Sequence, residues 1–414
     1  MKEIIDYIKQ FLLFGNSSLL DSLGYTSNKQ EWNKYRVVII PNGLIADQSV
    51  EWQDQELVIS PQVEQVNQTW IIHEDLIYLS LCCISLAGEH LERPLSDACR
   101  DIHQRIPSSE SALGKRDLQL RPIVDEYATL VSRLIGSTMP THGIQHVVLT
   151  HDVDSICRYR HLRGGLGGMR RGRFVDVVKS ICNRENDPLF TFNWMHQQDK
   201  LVEGAEIIYF FKASNGLGYD YPQYNLHGND FRALLDDLSN EKVKIGLHGS
   251  YHAAKELCYR AEKSKLEKSI KKKVTLHRNH YLRILSYEDL QCLVDTGITD
   301  DYSIGWADHV GFRLGTTRPV RWINPITFQL TDLVLHPLSI MDGTLSDNHY
   351  MNIQSLDKAF EICRSVIETI ERYNGELVLL WHNSTFAEQN YHKDLYMNVI
   401  NSLHQDKDNR MIIC

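Results

Sequence analysis

Three features are missing from this sequence, and each absence excludes a class of protein. None of the nine cysteines forms a CxxC pair, so neither a disulfide framework nor a thiolate zinc site is indicated. No run approaches the ~20 apolar residues of a membrane span, and Glu3 and Asp6 interrupt what would be the core of a signal peptide. A basic excess is absent too, because the formal net charge is −9. We therefore expect a cytoplasmic protein that has no membrane span and binds neither nucleic acid nor anionic membranes.

What the chain does contain is typical of a folded protein with more than one core. Hydrophobic residues make up 43% and charged residues 23% of the 414 positions. The polar segment STMPTHG at 137–143 predicts a linker. We expect an N-terminal α/β domain of unknown role at 1–140 and a second domain at 144–414, with oligomerisation left open.

The hydrophobic pattern changes at this predicted linker. Before it, spaced apolar residues predict helices at 1–14, 70–90 and 123–136, and RVVII predicts a strand at 36–40. After it, short β-branched runs alternate with helical stretches, which predicts parallel strands in an α/β layer or barrel. These runs lie at 146–150, 243–247, 274–276 and 376–381.

The segment RGGLGGMRRGR at 163–173 is rich in glycine and arginine. It has neither the GK[ST] of a Walker loop nor a GxGxxG that opens a helix after a strand. We expect a mobile surface connection. In an alternative interpretation its arginines, with Arg158 and Arg160, attract an anionic part of a substrate.

Three polar clusters directly follow predicted strands. They are HDVDS at 151–155, HGSYH at 248–252 and HNSTF at 382–386. Because the carboxyl ends of parallel strands meet at one face of an α/β fold, we expect these clusters to converge there.

The first two clusters together predict a metal site. His248 and His252 are four residues apart, so both imidazoles would lie on one side of a helical turn. With Asp154 as third ligand they would leave a tetrahedral zinc one open position, as in catalytic sites. Asp152 lies two residues earlier on the same extended segment and would face the same side. Turn capping is the structural alternative for both carboxylates.

Four motifs in this region resemble the polysaccharide deacetylase superfamily, also described as NodB homology or carbohydrate esterase 4. They are THDVDS, HGSYH, HRNHYLR and LLWHNS, between about 147 and 386. The DxD spacing is similar to that of an intracellular branch that includes amidohydrolases of cyclic imides and allantoin. The resemblance implies a distorted (β/α) barrel with fewer than eight strands. Two positions depart from the family pattern, since His280 stands where a proline is usual and Ser155 where a glycine is usual.

The resemblance also implies a role for each site residue. Asp152 would be the general base, Asp154, His248 and His252 the metal ligands, Arg278 the residue that orients the base, and His382 the general acid. Tyr281 and Trp381 are the candidate substrate contacts, with packing as the alternative. The metal would be divalent, with zinc expected and cobalt, nickel or manganese as alternatives.

The expected activity is hydrolysis of a non-peptide carbon–nitrogen bond. The leading substrate is an N-acetylated sugar or glycan precursor, and the alternative within the superfamily is a cyclic imide or ureide. A glycosyltransferase with a metal-binding DxD is a rival from another class, but it leaves HGSYH without a role. A non-catalytic binding module on a decayed barrel is a further rival.

Overall fold

Two sheets organise the part of the chain that the structure describes. This computed structural model describes residues 1–53, 56–90, 99–214, 216–221, 223–239, 242–253, 258–387 and 390–411. The smaller sheet contains β1 (Leu23–Tyr25), β2 (Val37–Ile39), β3 (Val63–Val66) and β4 (Thr69–Ile72), in the order β1-β2-β4-β3. Its strands are parallel except β3, which pairs with β4 in antiparallel register.

The helices of this N-terminal region follow the sequence predictions in two of three cases. They are α1 (Lys2–Leu12), α2 (Leu76–Ile84), α3 (Ala87–His90) and α4 (Ile123–Ile135). The predictions for 1–14 and 123–136 are confirmed, as is the strand within 36–40. The single helix predicted over 70–90 was wrong. That stretch begins as strand β4, and Asp75 then caps α2 by accepting a hydrogen bond from the backbone N–H of Tyr78 at 2.9 Å.

The larger sheet has nine strands in the order β10-β11-β9-β8-β7-β6-β5-β13-β12. They are β5 (His146–Val153), β6 (Glu206–Lys212), β7 (Val243–Gly249), β8 (Leu276–Asn279), β9 (Asp300–Asp301), β10 (Val320–Ile323), β11 (Leu330–Leu335), β12 (Leu338–Met341) and β13 (Glu376–Leu380). Neighbouring strands are parallel except β10 and β11. The prediction of parallel strands in a mixed α/β fold is confirmed, and the sheet forms a curled half-barrel.

The remaining helices connect these strands. They are α5 (Leu162–Arg170), α6 (Phe174–Cys182), α7 (Phe192–Asp199), α8 (Asn229–Ser239), α9 (Tyr259–Ile270), α10 (Tyr287–Asp295), α11 (Asp342–Ser346), α12 (Leu356–Arg372) and α13 (His392–Met411). Among the described residues, no helix is both long enough and apolar enough to cross a bilayer.

The segment 163–173, predicted as a mobile loop, lies mostly in α5 and in the turn to α6. Its glycines explain the difference. A Cβ on Gly168 would lie 2.6 Å from a methyl carbon of Val177, and Gly165 is buried beside the carbonyl of Tyr159. Glycine at these positions therefore lets α5 approach α6 and the chain beneath it more closely than any other residue could.

Alternation along the central strands divides the larger sheet into two faces. Odd-numbered residues such as Leu149, Tyr209 and Leu247 belong to a hydrophobic cluster that includes residues of α12 and α13. Even-numbered residues such as Val148 and Phe210 belong to a separate cluster on the opposite face. Because side chains alternate along a strand, the even-numbered polar residues that follow must project from this second face.

The N-terminal region and the larger sheet share a hydrophobic core. One cluster of buried residues contains Ile8, Leu81 and Val131 from the first region together with Leu290 and Trp322 from the second. The two regions are therefore packed against each other, and the domain boundary near residue 140 stays a prediction.

Candidate metal centre

Four adjacent strands bring the polar clusters together at the carboxyl end of the larger sheet. The register pairs Lys212 of β6 with His248 of β7, and His248 with Arg278 of β8. Asp152 lies near the end of β5, and Asp154 follows it. All five residues have even numbers and share the sheet face described above. The predicted convergence of the clusters from β5 and β7 at one edge follows from this register.

Three side chains at this edge could hold a metal ion: Asp154, His248 and His280. Their ligand atoms lie within 4.8 Å of one another. Oδ1 of Asp154 lies 3.6 Å from Nε2 of His248 and 3.2 Å from Nε2 of His280. Ligands at 2.0–2.1 Å from a tetrahedral ion lie about 3.4 Å from each other. The observed separations therefore fit a cation between these atoms.

The hydrogen bonds of the two imidazoles favour the same conclusion. Nδ1 of His248 lies 3.0 Å from the carbonyl oxygen of Arg278, and Nδ1 of His280 lies 2.9 Å from Oδ1 of Asp220. Both acceptors place a hydrogen on Nδ1, so each ring, when neutral, directs the lone pair of Nε2 towards Asp154. Among the described residues, Nε2 of His248 and Oδ1 of Asp154 are buried and have no hydrogen-bond partner. Lone pairs facing a carboxylate repel each other unless a cation or a proton lies between them.

The electrostatic environment of the candidate metal centre stabilises positive charge. Burial alone would raise the pKa of the Asp154 carboxyl, but the charge on His280 and the nearby Lys212 hold it well below its usual range. Burial lowers the pKa of His280, yet Asp154 and Asp220 raise it above its ordinary value. A metal at this site would compete with the proton on His280, so binding would release a proton and weaken in acid.

The acidic and basic side chains around the candidate metal centre have a net negative charge. Asp152, Asp154 and Asp220 face two buried basic side chains, Lys212 and Arg278. Nζ of Lys212 lies 3.7 Å from Oδ1 of Asp154, close enough to offset part of its charge. With neutral imidazoles the five groups sum to a single negative charge, which a divalent cation would convert to a single positive one.

His252, the third ligand expected from the sequence, does not belong to this group. The expectation assumed that 248–252 forms one helical turn, but β7 continues through Gly249, so His248 is a strand residue and His252 lies in the following turn. The His252 side chain is exposed and lies near Gly218. His280 occupies the third position instead, two residues after Arg278 on the same face of the chain.

Asp152 is held beside the metal centre by Arg278. Nη1 of Arg278 donates to Oδ1 of Asp152 at 3.1 Å and to the hydroxyl of Thr150 at 2.7 Å. The other carboxylate oxygen, Oδ2, lies 3.7 Å from Nε2 of His248. Both Asp152 and Arg278 are buried. One oxygen of Asp152 is thus fixed by Arg278, while the other faces the place where the imidazole lone pair points.

His382 lies across the centre and is paired with Asp342. Nδ1 of His382 lies 2.8 Å from Oδ1 of Asp342, whose second oxygen accepts from the His382 backbone N–H at 2.9 Å. Burial lowers the pKa of His382, but Asp342 and the carboxylates of Asp154 and Asp152 raise it to about 10. His382 is therefore protonated at neutral pH, and its Nε2 lies 3.9 Å from Oδ2 of Asp154.

A cavity of about 280 Å³ opens over these groups. Asp152, Asp154, His280 and His382 line it, together with Tyr281. The predicted substrate contact Tyr281 therefore lies at the cavity. The other one, Trp381, is fully buried in the hydrophobic cluster on the opposite face of the sheet and is absent from the lining. As an odd-numbered residue next to β13, Trp381 points away from the site.

The N-terminal region also contributes to this cavity. Arg105 lines it and is buried, with Nη1 donating to the carbonyl of Tyr281 at 2.8 Å and Nη2 to the hydroxyl of Tyr350 at 2.7 Å. Tyr281 and Leu282 both have left-handed backbone, with φ of 62° and 54°. Arg105 thus supports a strained turn that aims the end of β8 into the cavity.

Several of these residues escaped the sequence analysis. His280 was identified only as a departure from a motif, and its two-residue spacing from Arg278 was the signal that could have placed it on the same face. Asp342 and Arg105 offered no local signal, because each meets its partner only through the tertiary fold.

Comparisons with known proteins add a remote similarity only. No protein-family model and no curated protein matches this sequence. Among solved structures, a protein from Mycobacterium smegmatis, provisionally assigned as a polysaccharide deacetylase, is similar at 14% identity and a TM-score of 0.42. The match covers 64% of this chain and 88% of the other.

Proposed function

We propose that this protein is a metal-dependent hydrolase that cleaves an amide bond, and that the amide is an N-acyl group of a sugar. The observation that carries the proposal is the convergence of Nε2 of His248 and Nε2 of His280 on Oδ1 of Asp154, where Nε2 of His248 and Oδ1 of Asp154 have no hydrogen-bond partner among the described residues. Two neutral nitrogens and one carboxylate form the ligand set of catalytic zinc sites, in which an open position remains. When bound, such a cation makes a water molecule acidic and polarises a carbonyl oxygen.

Asp152 is the proposed general base. Its free oxygen faces the ligand cluster, so it can accept a proton from a water molecule that attacks a carbonyl in the cavity. Arg278 binds the other oxygen and fixes the direction of the carboxylate. The glycosyltransferase alternative with its metal-binding DxD leaves the converging imidazoles of His248 and His280 without a role.

His382 is the proposed general acid. An amide nitrogen is a poor leaving group and must gain a proton as the carbon–nitrogen bond breaks. The imidazolium of His382 can supply this proton from Nε2, because Asp342 holds the opposite side of the ring and raises the pKa to about 10. Base and acid thus approach the cavity from different strands, β5 and the end of β13.

The sequence motifs and the size of the cavity support the proposed substrate class. A volume of about 280 Å³ accommodates one small organic group, with space for more of a substrate outside the mouth. An N-acetylated sugar, as the sequence resemblance implies, fits these limits. Zinc is the proposed metal and the cytoplasm the proposed compartment.

The test combines metal analysis with a release assay. Purified protein would be analysed for bound metal and assayed for acetate release from N-acetylated sugars, free and nucleotide-linked, with cyclic imides and ureides as the competing class. We expect one divalent ion per chain and acetate release. Asp152→Asn should keep the metal and lose about 10²–10⁴ in turnover, whereas Asp332→Asn, an exposed carboxylate on β11, should change neither. Normal turnover by Asp152→Asn would contradict the assignment of the base.

A further inference from the structure

Helix α5 turns its apolar side outward. Leu162, Leu166 and Met169 follow one another at intervals of four and three residues, which places them on one side of the helix. Their exposed fractions are 81%, 55% and 37%. The buried side of α5 contains Gly165 and Gly168 instead. The usual arrangement of a surface helix, with the apolar stripe facing the core, is therefore inverted.

Helix α6 repeats this inversion. Phe174, Val178 and Ile181 have exposed fractions of 60%, 59% and 58%, whereas the buried residues of α6 are Val177 and Ser180. Val175 is 64% exposed. Seven large exposed hydrophobic residues thus lie between 162 and 181, out of sixteen in the described part of the chain. Such a concentration marks an interaction surface.

The same helices carry a strong local positive charge. Between residues 158 and 184 there are eight arginines and lysines, of which Arg160, Arg173 and Arg184 form ion pairs with Asp230, Asp176 and Asp237. With these three acids included, the local formal charge is +5 in a chain whose total is −9. The exposed cations are Arg163, Arg170, Arg171, Arg173 and Lys179. We call these five cations and the seven exposed apolar residues the hairpin face. The overall charge of the protein hides this basic surface.

We propose that the hairpin face docks the protein onto an anionic lipid bilayer. Apolar side chains ringed by arginine and lysine are the composition of helices that lie in the membrane interface, where apolar groups enter the acyl boundary and cations meet the headgroups. The guanidinium of Arg163 lies 5.0 Å from the ring centre of Tyr221, so a half-exposed tyrosine of the segment after β6 extends the surface. Tyrosine is also favoured at membrane interfaces.

Charge argues against a second copy of this chain as the occupant. In a two-fold interface each patch meets its own copy, so two surfaces of net positive charge would face each other. An anionic bilayer instead neutralises them. The position of the hairpin has a consequence for the site, because Asp154 directly follows β5 and α5 begins eight residues later. A docked hairpin would hold the carboxyl end of the sheet near the bilayer.

The experiment is co-sedimentation of the full chain with phosphatidylcholine vesicles, with and without phosphatidylglycerol. We expect binding to the anionic vesicles that is at least tenfold stronger than to the neutral ones and weakens with salt. Leu166→Asp with Val178→Asp should reduce binding at least tenfold, while Leu201→Asp with Ile326→Asp, at sites 43% and 48% exposed, should not. Arg170→Glu with Arg171→Glu should also reduce binding at least tenfold, whereas Lys272→Glu with Lys273→Glu, also exposed, should leave binding unchanged.

Three results would overturn the proposal. One is the absence of wild-type binding to anionic vesicles, and another is equal loss of binding in the test and control variants. The third is a wild-type dimer that Leu166→Asp with Val178→Asp separates while neither protein binds vesicles, which would make the hairpin face a contact between copies. Unfolding temperatures of all variants would verify that the exposed substitutions leave the fold intact.

Discussion

The two ends of the nine-stranded sheet both carry histidines among carboxylates, but their hydrogen bonds differ. At the amino-terminal end, His336 places Nδ1 2.7 Å from Glu376 and Nε2 3.2 Å from Asp300. Both ring nitrogens of His336 therefore have carboxylate partners, and neither is left to bind a metal. At the carboxyl end, Nδ1 of His248 and Nδ1 of His280 each meet an acceptor, but Nε2 of His248 has no hydrogen-bond partner and Nε2 of His280 lies 3.2 Å from Oδ1 of Asp154.

The comparison separates a structural cluster from a candidate ligand set. Burial lowers the pKa of His336, but Asp300 and Glu376 raise it to about 9, so this imidazole is a cation that neutralises its neighbours. Nothing further needs to bind there. The carboxyl-terminal cluster, in contrast, leaves a carboxylate oxygen and an imidazole lone pair unsatisfied. Residue types alone do not distinguish a metal site, whereas the direction of the free lone pairs does.

The largest expected effect is that of removing the central carboxylate. Asp154→Ala should abolish metal binding and lower turnover by about 10³ or more, because a metal supplies several kcal/mol of transition-state stabilisation. Asp300→Ala at the other end should leave both unchanged. Metal analysis and acetate release measure the two effects. Equal metal loss in both variants would erase the distinction between the two ends.

The next effect concerns the identity of the third ligand. His280→Ala should weaken metal affinity by at least ~100-fold, since removing an outer partner of a ligand already costs 10–100-fold. His252→Ala should change it less than about twofold because that side chain is exposed outside the cluster. Competition with a chromogenic chelator would measure both. A larger loss of metal affinity in His252→Ala than in His280→Ala would instead support His248 and His252 as the pair of histidine ligands.

A smaller effect is expected for the partner of the general acid. Asp342→Asn removes the charge that holds His382 protonated and oriented, so turnover should fall about 10–100-fold while metal content stays constant. Asp347→Asn, a half-exposed carboxylate that also lines the cavity, is the matched control and should remain near the wild type. Loss of metal in Asp342→Asn would instead place Asp342 in the ligand set.

The smallest effect is expected at the amino-terminal cluster of His336, Asp300 and Glu376. Because the pKa of His336 is raised to about 9 from an ordinary 6.5, its stabilisation is complete below pH 6.5 and disappears as the pH rises through about 9. His336→Gln should lower the free energy of unfolding by about 1–3 kcal/mol at pH 6 and flatten its decline towards pH 9.5. Urea unfolding measures this, with exposed His349→Gln as control. An unchanged pH dependence would show that the cluster does not bind this proton.

Most of the candidate site could be predicted from the sequence, because β-branched runs followed by polar residues indicate where strands end. Four β-branched runs predicted the strands that carry Asp152, His248, Arg278 and His382, and these strands form one parallel sheet. The prediction for His252 depends on an i, i+4 argument that holds only on a helix, and β7 runs through His248. Counting alternate residues from Arg278 would have pointed to His280.

Contacts between residues that are far apart in the sequence could not be predicted from any sequence pattern. Arg105 reaches Tyr281 across 176 positions, and Asp342 reaches His382 across 40. The inverted helices α5 and α6 were hidden for another reason. Glycine is read as a loop former, and only packing against Tyr159 and Val177 converts these glycines into a helix contact.

By itself the sequence determined the α/β class, the parallel strands and which polar residues end them, because hydrophobic periodicity and β-branched runs are local properties. Only the tertiary structure decided which histidine joins Asp154, which carboxylate supports His382 and which side of α5 faces outward. Those choices depend on strand register and on packing between remote segments, and neither is encoded at any one place in the chain.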